Sequence, residues 1–117
     1  MNPVPFLPAA ERELESYARF YEAEAGRGKD FLQAMEAAIR RIGEAPGQGT
    51  AYLHGTRRLV VFRYPFSIVY VLELAGPLIV ALAHHRRKPD YWVKRLSSRK
   101  RLVPPQLPDS SSTNGPR

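Results

Sequence analysis

Close to residue 50 the apolar periodicity of this chain changes from that of a helix to that of a strand. The change falls across a break rich in glycine and proline, GEAPGQG (43–49). A chain patterned in this way puts its helices first and its strands second. Segregation of that kind points to an α+β domain, with helices packed on one face of a small sheet.

Residues 9–25 read as a first helix. Leu14, Tyr17, Ala18 and Tyr21 recur at helical spacing on one stripe. Glu11, Glu13 and Glu15 crowd its first turns, where the helix dipole favours negative charge, and Gly26 and Gly28 end it. A second helix is expected from about Asp30 to Ile42, with Phe31, Met35, Ala38, Ile39 and Ile42 on its apolar face. The short link between the two makes a helical hairpin. Phe20 widens the first helix's stripe beyond one narrow face. It packs in the core or adds to a surface for a partner.

Strands dominate the second half. RRLVVFR (57–63) alternates, with Leu59, Val61 and Arg63 on one face and Arg58, Val60 and Phe62 on the other. FSIVYVLEL (66–74) is apolar on both faces and so belongs at the centre of a sheet. LIVALAH (78–84) follows a turn at Ala75-Gly76-Pro77, completing an antiparallel meander. VPFL (4–7) reads as a further short strand, kept at an edge by Pro3 and Pro5, which cannot donate ladder hydrogen bonds. Residues 90–96 suit a short helix. The predicted order is β-α-α-β-β-β, a helical hairpin packed on a small, mainly antiparallel sheet, with a basic C-terminal appendage.

The chain has 117 residues, enough for one core. We therefore expect one domain over 1–102, and a disordered tail over 103–117, where proline and serine replace anything worth burying. The absence of cysteine removes disulfides, thiol nucleophiles and thiolate metal sites, and suits a cytoplasmic location. No apolar run approaches the ~20 residues of a membrane span, and the N-terminus lacks the basic and apolar regions of a secretory signal. No membrane partner is expected.

Charge is distributed unevenly. Residues 1–49 carry 6 Lys/Arg against 8 Asp/Glu, whereas residues 50–117 carry 12 against 3. The basic half suggests a polyanionic partner, either nucleic acid or an acidic protein segment. Its densest stretch runs from Arg86 to Arg101. Arg86, Arg87 and Lys88 adjoin Tyr91 and Trp92, a combination that grips RNA by phosphate contact and base stacking or holds carboxylates. Trp92, the only tryptophan, is also suited to plugging the core. Arg99, Lys100 and Arg101 read first as solvated charge. His84 and His85 are the acid–base candidates, but adjacent strand residues point to opposite faces, so one site can use only one of them. His54 reads as a surface loop residue. With no cysteine and no carboxylate cluster beside the histidine pair, neither a metal site nor a cofactor is expected.

Four strings in this order resemble the RelE/ParE superfamily of toxins from bacterial type II toxin–antitoxin systems. They are FLPAAERELESYARFYE (6–22), FLQAMEAAIRRI (31–42) followed by Pro46, RRLVVFRYPFSIVYVL (57–72) and LIVALAHHRRKPDYWVKR (78–95). The resemblance covers residues 4–96. It implies a cognate antitoxin that wraps across the toxin. It also implies one of two actions: ribosome-dependent mRNA cleavage, as in RelE-like toxins, or binding of DNA gyrase without cleavage, as in ParE-like ones.

RNA cleavage by a 2′-OH needs a base, a group that stabilises the phosphate and an acid for the leaving oxygen. RelE-like enzymes resemble one another in using Lys and Arg on the middle strands, an Arg after the last strand and a C-terminal Tyr. Here Ser67 stands where the strand arginine is expected, and the strand lysines fall near the apolar Leu59–Val61. Arg86 matches the later arginine, and Tyr91 or Trp92 falls near the terminal tyrosine. A nuclease would therefore use His85, Arg86 and Tyr91. The departures favour a ParE-like protein that binds its target, with Arg57, Arg58, Arg63, Arg86, Arg87, Lys88 and Trp92 as candidate contacts. A third alternative is an inactive relative that only binds antitoxin or nucleic acid.

Overall fold

The computed structural model describes residues 4–102; the tail expected over 103–117 lies outside the described residues, as do the side chains of Arg99, Lys100 and Arg101. Helix α1 (Pro8–Ala25) opens on a proline, whose missing N–H is no loss in the first turn. Gly26 closes it at φ 63°, where its N–H donates to the Glu22 carbonyl and that of Arg27 donates to the Tyr21 carbonyl. Helix α2 (Gly28–Glu44) packs back on α1. A Cβ at residue 28 would lie 2.9 Å from the Ala18 carbonyl oxygen, so glycine is what lets the two helices meet there.

The second half forms a four-stranded sheet of β1 (Thr50–Ala51), β2 (Arg57–Val60), β3 (Phe66–Glu73) and β4 (Gly76–His84), in that order, with every neighbouring pair antiparallel. The helical hairpin covers one face, here called inner. Phe31, Met35, Ala38 and Ile42 of α2 join Leu59, Phe66, Ile68, Tyr70, Ile79 and Leu82 of the sheet in one core. The outer face carries a second cluster of Val69, Val71, Val80 and Ala81, closed by a fully buried Trp92. Strand β3 is thus buried on both faces from Phe66 to Val71, as its unbroken apolar run predicts.

Four local differences have physical causes. The strand expected over 4–7 is one parallel bridge, Phe6 to Ile79, with Ile79 N–H donating to the Pro5 carbonyl and Leu7 N–H to the Ile79 carbonyl. Prolines at 5 and 8 supply no further donors, so the ladder stops. β1 was not legible in sequence, because two exposed residues carry no periodicity. β2 ends at Val60, short of Arg63, because Arg63 adopts φ 74° and turns the chain. The last helix, α3 (Val93–Leu102), begins after Pro89-Asp90, which form turns rather than a helix start at residue 90.

One residue of β4, Val80, has no partner: Tyr70 pairs with Ile79 and Val69 with Ala81. This bulge turns both Val80 and Ala81 to the outer face and resets the alternation of everything that follows. The sheet's far corner is fixed by Tyr70. Its hydroxyl accepts from Gly49 N–H at 2.9 Å and donates to the Pro46 carbonyl at 2.7 Å. Tyr70→Phe would strand the buried Gly49 donor. We expect a loss of about 1–3 kcal/mol in a denaturant titration, with the slope unchanged.

Candidate functional site

The outer face of the sheet opens into a cleft of about 160 Å³ beside the end of β4. Its floor is Ser67 of β3, 2% exposed and, with Tyr70, one of two hydroxyl side chains in that strand's buried run. His85, the residue after β4, bonds to it, with Nε2 2.9 Å from Ser67 Oγ. Its own N–H donates to the Pro65 carbonyl, which fixes the backbone there. Arg58 of β2 enters from one side and Arg87 and Lys88 from the other, and among the described residues no carboxylate lines the cleft. Both guanidiniums rest on aromatic rings, Arg58 at 4.4 Å from the Tyr52 centroid and Arg87 at 3.8 Å from that of Tyr91. Stacking of this kind holds a cation in place without neutralising it. The cleft is therefore lined by cations, two of them held on aromatic rings.

The other predicted residues lie elsewhere. Arg57 faces the inner side, and its Nη1 donates to the carbonyls of Gly49 at 2.6 Å and Gly47 at 3.2 Å. Arg63 sits in the β2–β3 turn with its guanidinium 5.4 Å from the Phe62 ring centroid. Arg86 does not line the cleft; its backbone N–H donates to His84 Nδ1 at 3.0 Å. Trp92 is buried, and its indole N–H has no partner among the described residues.

Tyr91 belongs to a polar cluster on the outer edge of β4. Its hydroxyl donates to Glu13 Oε2 at 2.6 Å. Arg95 grips the same carboxylate through both terminal nitrogens, each at 2.9 Å, and also donates to the Val80 carbonyl. Glu13 Oε1 further accepts from Leu82 N–H at 3.0 Å. Burial, then the bond to Glu13 and its charge, push the Tyr91 hydroxyl far above its ordinary value of 10.0. Burial alone would lower Arg95, but the bonds and charge of Glu13 outweigh it and raise the guanidinium. These three side chains together satisfy the backbone of an edge strand that would otherwise invite pairing.

His84 points inward, its ring 5.0 Å from that of Phe66. Burial, then the charges of Arg86 and His85, lower it from 6.5. The unfolded chain takes up this proton at a higher pH than the folded one, so the neutral form favours folding. Stability is expected to decline as pH falls below 6.5 toward the depressed folded value. Denaturation midpoints from pH 8 to pH 5 check this, with His84→Phe losing that component of the slope.

Sequence reasoning singled out His85, Arg58, Arg87 and Lys88, which the fold does bring together. It missed Ser67 and Tyr52 as members of the cleft, and Glu13 as the partner of Tyr91 and Arg95. Ser67 had a signal, as the one small polar residue in an aliphatic and aromatic run; Glu13 had none among the glutamates of α1.

A helical hairpin packed on one face of a four-stranded antiparallel sheet is the architecture that the sequence resemblance implied. The family model described as ParE toxin of type II toxin–antitoxin system, parDE, matches residues 4–89, and the chain belongs to that family. Among solved structures, a chain of the chromosomal ParDE system from P. aeruginosa superposes with a TM-score of 0.63 at 18% identity. The match covers 72% of this chain and 96% of that one. It shows the shared fold. Among curated proteins no match is found. Among the described residues, no helix is long and apolar enough to cross a membrane.

Proposed function

We propose that this ParE-family chain arrests growth by binding a protein target such as DNA gyrase, without cutting RNA, and that its cognate antitoxin neutralises it. The observation that carries the reading is the commitment of Tyr91. Its hydroxyl, which a nuclease would need free near the scissile phosphate, is given to Glu13 and its proton held tightly. The cleft suits protein recognition instead. Arg58, Arg87 and Lys88 present donors to acidic side chains. Two of them are already ordered on aromatic rings, so little side-chain entropy is lost on binding.

The nuclease alternative draws on one specific observation: the His85 imidazole, able to give or take a proton, stands among three cations. A brief induced pulse of the protein separates the two. The proposal expects double-strand breaks and growth arrest with no new RNA 5′ ends. It also expects Arg58→Glu with Arg87→Glu to raise the concentration needed to inhibit purified gyrase about tenfold or more. New 5′ ends within translated codons, lost in Arg86→Ala and His85→Ala, would replace it with the nuclease reading.

A further inference from the structure

We infer that Glu13 of α1 is a positioning residue for the outer-face cleft, acting through the Tyr91 ring on Arg87. The consequence for binding rests on the target reading of that cleft, whereas the positioning itself does not. Arg87 is exposed, and an exposed arginine samples many rotamers unless something holds it. Of the consecutive cations Arg86, Arg87 and Lys88, only Arg87 rests on a ring among the described residues, 3.8 Å from the Tyr91 centroid. The backbone brings the two side chains together. Arg87 N–H donates to the His84 carbonyl at 2.9 Å and Tyr91 N–H to the Lys88 carbonyl at 3.2 Å, two successive turns that return the chain to Arg87.

The ring is in turn held at its far end. Its hydroxyl donates to Glu13 Oε2 at 2.6 Å, with a longer bond to the Leu82 carbonyl at 3.3 Å. Glu13 is itself fixed, because its carboxylate also accepts from both terminal nitrogens of Arg95 and from Leu82 N–H. A second guanidinium, that of Arg95, stands 5.2 Å from the same ring centroid. The short bond to a carboxylate pushes electron density into the phenol, which strengthens its attraction for a cation over its face. Carboxylate, phenol and guanidinium thus form a chain of contacts from α1 to the wall of the cleft. Freeing Glu13 loosens that wall without touching it. Arg58, on the opposite wall, stacks on a different ring, Tyr52, and lies outside this chain.

The test has two arms on the full chain, at a temperature where thermal melts show every variant folded. The first needs no target. NMR relaxation at the side-chain Nε of Arg87 should show it nearly as rigid as the backbone in the native protein. Its mobility should rise in Tyr91→Phe, which keeps the ring but not the hydroxyl, and in Glu13→Gln, while Arg58 Nε stays unchanged. The second arm is a double-mutant cycle read as the concentration that inhibits purified gyrase. Tyr91→Phe should raise that concentration about fivefold in the native background and in Arg58→Ala, but leave Arg87→Ala where it stands. A merely structural role for Tyr91 would weaken inhibition equally in both arginine backgrounds, and that result overturns the inference. So does an Arg87 side chain equally mobile in the native protein, Tyr91→Phe and Glu13→Gln. A native chain that leaves gyrase untouched removes the target reading instead, and the relaxation of Arg87 then decides the positioning role alone.

Discussion

Glu13→Ala is expected to destabilise the domain by about 3–5 kcal/mol, the largest effect of any polar substitution here. The carboxylate is the only acid in a cluster it shares with Arg95 and Tyr91, and the side chains of Arg95 and Glu13 are 22% and 13% exposed. Removing it leaves a largely buried guanidinium without its counter-charge, a phenol with only its longer bond to the Leu82 carbonyl at 3.3 Å, and the Leu82 N–H unpaired. Each loss falls on groups shielded from water, so solvent replaces little of what is lost. For a domain of about this size the melting temperature should drop by more than about 10 °C. Glu13→Gln keeps the shape and some of the hydrogen bonds but not the charge, and should fall between the two. Equality of Glu13→Ala with native protein in a thermal melt would show that the cluster contributes nothing net.

Trp92→Ala is expected to cost about 3–5 kcal/mol through the cavity it opens on the outer face. The indole is fully buried against Val69, Val71, Val80 and Ala81, and nothing on the α1–α2 side can collapse into its place. Because its N–H has no partner among the described residues, Trp92→Phe should retain most of that stability. Growth arrest per folded molecule should be unchanged in Trp92→Phe. A selective loss of activity in a fully folded phenylalanine variant would instead return this residue to the partner-binding set. Denaturant midpoints and growth assays on the two variants decide the matter.

The core place of Trp92 was legible as that of the only tryptophan, whereas the Glu13 cluster links the two ends of the domain and was the part least readable in advance. The alternation of Leu59 and Val61 with Val60 and Phe62 correctly separates buried from exposed positions, because strand parity is a local property. The stripe of Phe31, Met35, Ala38 and Ile42 identifies the buried face of α2 for the same reason. Arg57 and Arg58 are next to each other in sequence, and which of the two reaches the cleft follows only from the register with β3. Arg57 pairs with Tyr70 on the inner face and Arg58 with Val69 on the outer. The tie between Glu13 and its partners spans 78 and 82 residues, and no local pattern encodes it.

The sequence by itself determined the helices-then-strands order, the α+β class, the central place of β3 and the positive charge of the second half. All of these follow from periodicity and composition over a few turns or a few residues. The tertiary structure decided where that charge could act. Counted from Ile79 in steps of two, Ala83 and His85 would face the helices. The unpaired Val80 shifts that count by one and carries His85 to the outer face, onto Ser67 and between Arg58 and Arg87. A bulge arises from how two strands settle against two different cores, and that balance of packing exists only once the whole sheet is assembled.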